Sequence, residues 1–471
     1  MIRTQPSVSQ GYNKNLLLFV TTLTSIVHPF LGAAVNIALP VIGDEFSMNA
    51  ITMSWISMSF LLSSAVFLLP AGKLSDIAGR KRIFLLGNIV LILTSLLCAI
   101  ASSGTMLITF RVIQGIGSAM VFGTGTAMIT SAFPPHERGK AIGYNVSAVY
   151  LGLSVAPLLG GLMTQALGWR SLFLVIVPFG IIVILITIFA IRTDWAEAGN
   201  EKFDFTGAFF YILALSSLMY GFSKLPDIKA IILTITGIIG LAIFINFELK
   251  TAYPVLNIIL FKSNRIFAFS NLAALINYAA TFAITFLLSL YLQYIKGMSP
   301  RETGLLLVTQ PAVMTLFASF SGRLSDKYDA RVISSIGMSI IVVGLAMLAF
   351  VGASTRSGFI IFSLMILGMG FGLFSSPNTN AVMSSVEKKY LGVASATVAT
   401  MRMIGQLMSM GIATLIIHIF IGESRIIPAN HLLFIRGVKV IFILFSILCF
   451  FGVFASLARS KQNESFFGEN E

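Results

Sequence analysis

The chain alternates between long, continuously apolar runs and short polar connections. The pattern predicts membrane spans at 16–40, 51–71, 83–103, 105–132, 140–166, 170–191 and 205–224. It predicts seven more at 229–248, 266–294, 303–321, 332–353, 358–384, 391–419 and 436–457. Crossing a bilayer takes about 20 apolar residues in a helix. One such run would suit a buried core helix, but a series of this length cannot share the core of one soluble domain. The runs lack the apolar/polar alternation of barrel strands. A helix satisfies its own backbone in lipid, so helices are expected. The fold class read from the pattern is an all-α integral membrane protein of about fourteen transmembrane helices.

Composition agrees: 56% of residues are hydrophobic and 10% charged, against about 25% charged in soluble domains. A net charge of +13 in a soluble protein would suggest nucleic acid. Here its distribution decides otherwise. Of the 31 Lys and Arg, 20 lie in alternate connections and the two tails, 9 in the opposite connections, and Arg111 and Arg402 within spans. By the positive-inside rule the richer set and both termini are cytoplasmic. The expected partners are the lipid bilayer and a small organic molecule, with no nucleic acid and a monomeric chain in the cell membrane. The first run is too long for a signal core and is followed by further spans. Cys98 and Cys449 fall inside spans and read as packing residues. There is no phosphate-binding loop, no metal-spaced His/Cys cluster and no constellation for covalent chemistry, so neither an enzyme, a cofactor nor a metal is expected.

An internal repeat is visible. Gly72-Lys-Leu-Ser-Asp76 follows the second span, with Gly79 and Arg80 completing G-x-x-x-D-x-x-G-R. Gly322-Arg-Leu-Ser-Asp326 follows the tenth, with Arg331 beyond it. The glycines permit a tight turn. The aspartate can face a helix N-terminus or pair with an arginine, a contact that can be made in one conformation and broken in another. The repeat predicts two pseudo-symmetric six-helix halves, residues 1–192 and 266–471, with a linker and an inserted helix pair at 193–265.

Polar residues inside spans carry the candidate chemistry. Arg111 and Gln114 precede Gly115 and Gly117 in the fourth span, and Arg402 lies in the thirteenth. A guanidinium stays charged and costs about 2.5–3.5 kcal/mol at mid-span, so each needs a partner or a wet cavity. Both are candidates for substrate sensing or proton coupling. The spans hold essentially no deep carboxylate, which leaves His28 as the main alternative titrating group. Gly143, Gly152, Pro157, Gly160 and Gly161 give the fifth span a small-residue face and a helix-bending proline. Asn36, Asn145, Gln310 and Asn378 are candidate cavity-lining groups, with aromatics from a chain of 40 Phe.

These residues resemble the Major Facilitator Superfamily, and within it the fourteen-span drug:proton antiporter group. The resemblance covers nearly the whole chain, from Asn36-Ile-Ala-Leu-Pro40 to the last span. Gly72–Arg82 is similar to the superfamily's cytoplasmic gating motif, Arg111–Gly117 to its proton-linked motif, and Gly143–Gly161 to its antiporter motif, with Ala156 where glycine is usual. Gly168-Trp169-Arg170 also fits. The resemblance implies alternating access by two rocking halves about a midplane site. It implies proton-coupled efflux of drug-like compounds, with the proton gradient as energy source. One position departs: family exporters commonly carry an aspartate where this chain has Leu31. That departure opens a second expectation, an uptake carrier or uniporter for a small nutrient such as a vitamin or organic acid. A receptor or membrane enzyme is the third class, disfavoured by the missing signalling domain and catalytic groups.

Overall fold

The computed structural model describes residues 12–196, 198, 201–251, 261–262, 264–325, 328–386 and 391–459. Fourteen helices in it are long and apolar enough to cross a membrane. They are α1 Lys14–Glu45, α2 Ala50–Ala78, α3 Arg80–Ala99, α4 Gly104–Ala132, α5 Lys140–Leu167, α6 Ser171–Ala190 and α7 Phe205–Ser223. The rest are α8 Ile228–Glu248, α9 Arg265–Ile295, α10 Pro300–Gly322, α11 Ala330–Leu348, α12 Ser357–Ser384, α13 Val393–Ile421 and α14 Pro428–Leu457. No strand occurs among the described residues; Tyr12 and Ile191 form an isolated bridge.

Local chemistry sets the helix ends. Asn49 and Ser103 begin α2 and α4 by accepting bonds from the Thr52 and Met106 amides, the usual way to satisfy an orphan N–H. Ser299 and Glu302 form a reciprocal capping box at α10. Gly79 separates α2 from α3 with φ +110°, and Gly168 ends α5 with φ +79°, a region that favours glycine. Two spans are broken. α10 is interrupted at Val308, just before Pro311, and α9 loses regular α geometry at Phe282 and over Tyr291–Ile295.

The first and last six helices follow one packing scheme. α1 packs on α5, α2 and α3 on α4, and α3 on α6; likewise α9 packs on α13, α10 and α11 on α12, and α11 on α14. The cross-contacts are also paired, α5 against α10 and α13 against α2, with α1 against α9. Glycines allow the closest approaches. Gly115 faces the Phe60 carbonyl on α2, and Gly368 and Gly372 face the carbonyls of Gln310 and Met314 on α10. A side chain at any of these would overlap backbone, which is how small residues drive helix association in lipid. α7 and α8 pack on each other, and α7 also touches α2 and α13. The Tyr211 hydroxyl donates to the Ala65 carbonyl at 3.1 Å. On α8, Ile232, Ile235, Ile238 and Ile239 are exposed. Such a surface suits lipid rather than water.

Candidate functional site

Two regions gather the polar residues: a cluster at mid-depth and a network at the end of the molecule that carries both described termini, here the terminal end.

At mid-depth the cations are joined through aromatic rings. Arg111 is fully buried. Its Nε donates to the Ile56 carbonyl at 3.1 Å and one terminal nitrogen to Gln114 Oε1 at 2.7 Å. Gln114 in turn donates to Ser95 Oγ at 2.8 Å. The guanidinium carbon lies 4.1 Å from the Phe60 ring centre. Hydrogen bonds to a charged group contribute about 1.5–3 kcal/mol each, and a desolvated cation–π contact about 2 kcal/mol. Together they offset the insertion cost of the charge. Its second terminal nitrogen has no hydrogen-bond partner among the described residues.

Phe60 also faces His28, with ring centres 5.4 Å apart. His28 Nδ1 makes a short contact with Ser118 Oγ. The His28 ring centre also lies 5.1 Å from that of Phe122. Phe122 then carries the Arg402 guanidinium 5.1 Å from its centre. A column therefore runs Arg111–Phe60–His28–Phe122–Arg402, crossing from α4, α2 and α1 to α13. His28, Phe122 and Arg402 are half-buried, so accessible surface persists where the halves face each other. Tyr278 and Phe371 form an edge-to-face pair nearby on α9 and α12. Tyr278 abuts Gly405, one turn from Arg402. The Tyr150 hydroxyl bonds Ser375 across the halves.

The asparagines expected to line a cavity join helices. Asn36 is 1% exposed and accepts from Ser57 at 2.6 Å. Asn145 donates to the Thr21 carbonyl at 3.2 Å. Asn378 accepts from Arg459 at 2.5 Å. An amide is costly to bury without partners, and each of these three has one within reach. Gln310 is half-buried beside the break in α10. Leu31 is fully buried and packs in the core.

From mid-depth to the opposite, far end, the halves are tied together. Among the described residues, cross-half bonds run from Ser154 to Thr315 at 2.9 Å, Thr414 to Ser54 at 2.9 Å and Gln293 to the Ile37 carbonyl at 2.9 Å. Tyr294 bonds Asp44 at 3.1 Å, and Arg425 bonds the Ser47 carbonyl at 3.2 Å. The fifth-span motif divides between two neighbours. Gly152 and Gly160 face α1, where an added Cβ would lie 2.5 Å from the Ile26 carbonyl and 3.0 Å from Ala34 Cα. Gly161 faces the Pro300 carbonyl and Gly304 the Pro157 carbonyl, where an added Cβ would lie at 2.4 and 2.3 Å. Gly143 meets nothing within 4 Å of an added Cβ. Pro157 lies inside a helix that continues to Leu167. Arg170 grips Glu45 with two bonds of 2.7 and 3.0 Å while Trp169 donates to the same carboxylate at 2.6 Å.

At the terminal end, Asp76 accepts from Arg80 at 2.8 Å, and Arg80 reaches on to the Ala127 carbonyl at 3.1 Å and to Ser131. The segment after α6 docks on this loop. Trp195 accepts from the Arg80 amide at 2.9 Å, and the Ala198 amide donates to the Asp76 carbonyl at 2.9 Å. Asp194 accepts from the Lys81 amide at 2.9 Å. A Cβ on Gly79 would sit 2.4 Å from the Asp194 carboxylate. Lys73 pairs with Glu201 at 2.5 Å. An added Cβ at Gly72 would meet open space. In the second repeat Asp326 lies outside the described residues. Gly322 abuts Ser376, while Arg331 pairs with Asp329 at 3.5 Å and donates to the Arg459 carbonyl at 3.2 Å. Arg459, beyond α14, holds α12 through Asn378, and burial pulls its guanidinium down to about 10. The docking of this segment and the role of Arg459 were not anticipated from sequence, where 193 onward reads only as the start of a linker.

Comparison with known proteins fits this architecture. The Major Facilitator Superfamily profile matches residues 21–410 and 270–470. The chain belongs to the Major Facilitator Superfamily. Relatives within it include the riboflavin transporter RibZ of Clostridioides difficile, 29% identical over 83% of this chain and 85% of that one. The multidrug resistance protein Stp of Mycobacterium tuberculosis is 30% identical over 83% of this chain and 73% of its own. The crystal structure of a bacterial homolog of human Spinster, inward-facing and unoccupied, superposes with a TM-score of 0.64 at 17% identity, covering 94% and 96% of the two chains. That likeness concerns the fold. As a superfamily member the chain is a multi-pass membrane transporter of small molecules.

Proposed function

We propose that this superfamily member exports drug-like organic molecules by alternating access, driven by proton entry across the cell membrane, with both termini cytoplasmic. The observation that carries this reading is the mid-depth column from Arg111 to Arg402, which spans both halves at the depth where their far-end ties begin. Groups contributed by both halves sense any movement of one against the other. The tight α5–α10 contact at Gly161 and Gly304 closes the far end, so substrate enters from the terminal end, the cytoplasm in this orientation. His28, half-buried and bonded to Ser118, is the group assigned to proton exchange in this reading. Multidrug resistance proteins among the relatives support export. Uptake of a small nutrient is the second reading. It is favoured by Leu31, packed in the core where an exporter's acid would stand, and by a riboflavin transporter among the relatives.

Expression in a drug-sensitive bacterium tests the first reading. It predicts raised resistance to at least one compound of a broad panel, with efflux lost on adding a protonophore. Accumulation that stays the same with and without protonophore contradicts it. Rescue of a nutrient auxotroph at limiting supply would establish the second.

A further inference from the structure

We propose that the mid-depth site takes an organic anion: an apolar body carrying a carboxylate, whose charge is held by Arg402. This rests on the transport reading above and names its substrate class.

The first ground is the placing of acids. Among the described residues, every Asp and Glu lies within a few residues of a helix end or in a connection. Asp44 and Glu45 end α1, Asp76 nears the end of α2, Glu137 opens the fifth helix, Glu248 ends α8 and Glu302 begins α10. The middle of the molecule thus holds two guanidinium groups and no carboxylate. A cationic ligand would add like charge where screening is weakest, whereas an anion relieves the imbalance.

The second ground is the difference between the two arginines. Arg111 is fully buried and donates to neutral oxygens that fix it in place. Among the described residues, Arg402 is half-buried and lies over the Phe122 ring. No ion pair or hydrogen bond engages it there. Its fork of N–H donors therefore remains available, and that fork matches the two oxygens of a carboxylate. Arg111 is the fixed positive background; Arg402 is the hand.

The third ground is the surroundings. Phe122, whose ring carries Arg402, lies against His28, and Tyr278 and Phe371 pair edge to face nearby. Few polar groups and many rings suit an organic rather than an inorganic anion. Export of such an anion is also favoured by an inside-negative membrane potential, in addition to the proton exchanged at His28.

The test uses the purified full chain in proteoliposomes. A set of fused-ring aromatic carboxylates is compared with their neutral amides and with amines of the same ring systems. Uptake into the vesicles is measured for wild type, Arg402→Gln and Arg402→Lys, each checked for monodisperse extraction. Carboxylates should move at least tenfold faster than their amides at equal concentration. Arg402→Gln should erase that ratio, and Arg402→Lys should restore part of it. Faster movement of amines, or a carboxylate-to-amide ratio unchanged in Arg402→Gln, overturns the anion assignment and leaves transport standing. Should Arg402→Gln not extract intact, an unchanged ratio in Phe122→Leu and Arg402→Lys overturns it equally. Flux of no compound in any class removes the transport reading itself, and this assignment with it.

Discussion

Arg111 shows how a residue far from any acid is kept in a membrane span. It spends its donors on the Ile56 carbonyl and on Gln114 and lies over Phe60. Arg111→Ala removes all three and leaves Gln114 without one partner. Flux should fall at least tenfold, the effect of about 1.4 kcal/mol, with the membrane content of the protein unchanged on immunoblots. Arg111→Lys should recover little, because an ammonium cannot reproduce the fork. Leu31 makes a complementary point. Its position is fully buried among apolar neighbours, so Leu31→Asp should lower the thermal midpoint of the detergent-extracted protein instead of producing a cation exporter. A rise in cation efflux with unchanged stability would contradict that. Arg111, Arg402 and His28 were legible in the sequence because charge in an apolar run is conspicuous. Their aromatic partners were not. With 40 Phe in the chain, nothing local distinguishes Phe60 or Phe122 from lipid-facing rings; the distinction is tertiary. The asparagines carry a related ambiguity: a polar residue in a span signals a partner, and that partner can be the next helix as readily as a ligand.

Among the elements, the fifth helix has the plainest mechanical task. Its small residues touch α1 on one face and α10 on another. Gly161→Leu or Gly304→Val places atoms on backbone carbonyls that cannot retreat without parting the halves. Spin labels at Glu45 and Lys296, on opposite sides of the far-end closure, should then report a longer and broader distance than in the parent. An unchanged distribution would mean the contact does not hold the closure. The linker after α6 belongs to the same scale. Asp194 supports the loop amide of Lys81 and pairs with Arg82 at 3.3 Å. Asp194→Ala should speed tryptic cleavage after Arg82 severalfold in extracted protein; equal cleavage would show the docking to be incidental. The helices themselves were readable from hydropathy, and their bounds differ from the expected spans by several residues, outward for Lys14–Glu45 and inward at the end of Ala330–Leu348. The breaks in α9 and α10 were less so, since only Pro311 marks one of them. Docking of Asp194, Trp195 and Ala198 on the loop between α2 and α3 depends on backbone amides that sequence does not display.

For the whole molecule, the repeat Gly72–Asp76 and Gly322–Asp326 pointed to two similar halves, and the helix packing follows one scheme in both. Their polar networks differ. Arg80 comes from the motif itself in one half, whereas Arg459 from beyond α14 holds the other. Such asymmetry is expected where one half carries Arg111 and His28 and the other brings Arg402 to them. The central claim is that this shared mid-depth column couples substrate movement to a proton. The most direct measurement is the pH gradient of energised everted vesicles as compounds are added, comparing wild type with His28→Gln and Arg111→Ala. Coupled export predicts that a transported compound collapses the gradient in wild type and in neither variant. Movement of labelled compound with the gradient undisturbed, or collapse that persists in His28→Gln, would contradict it.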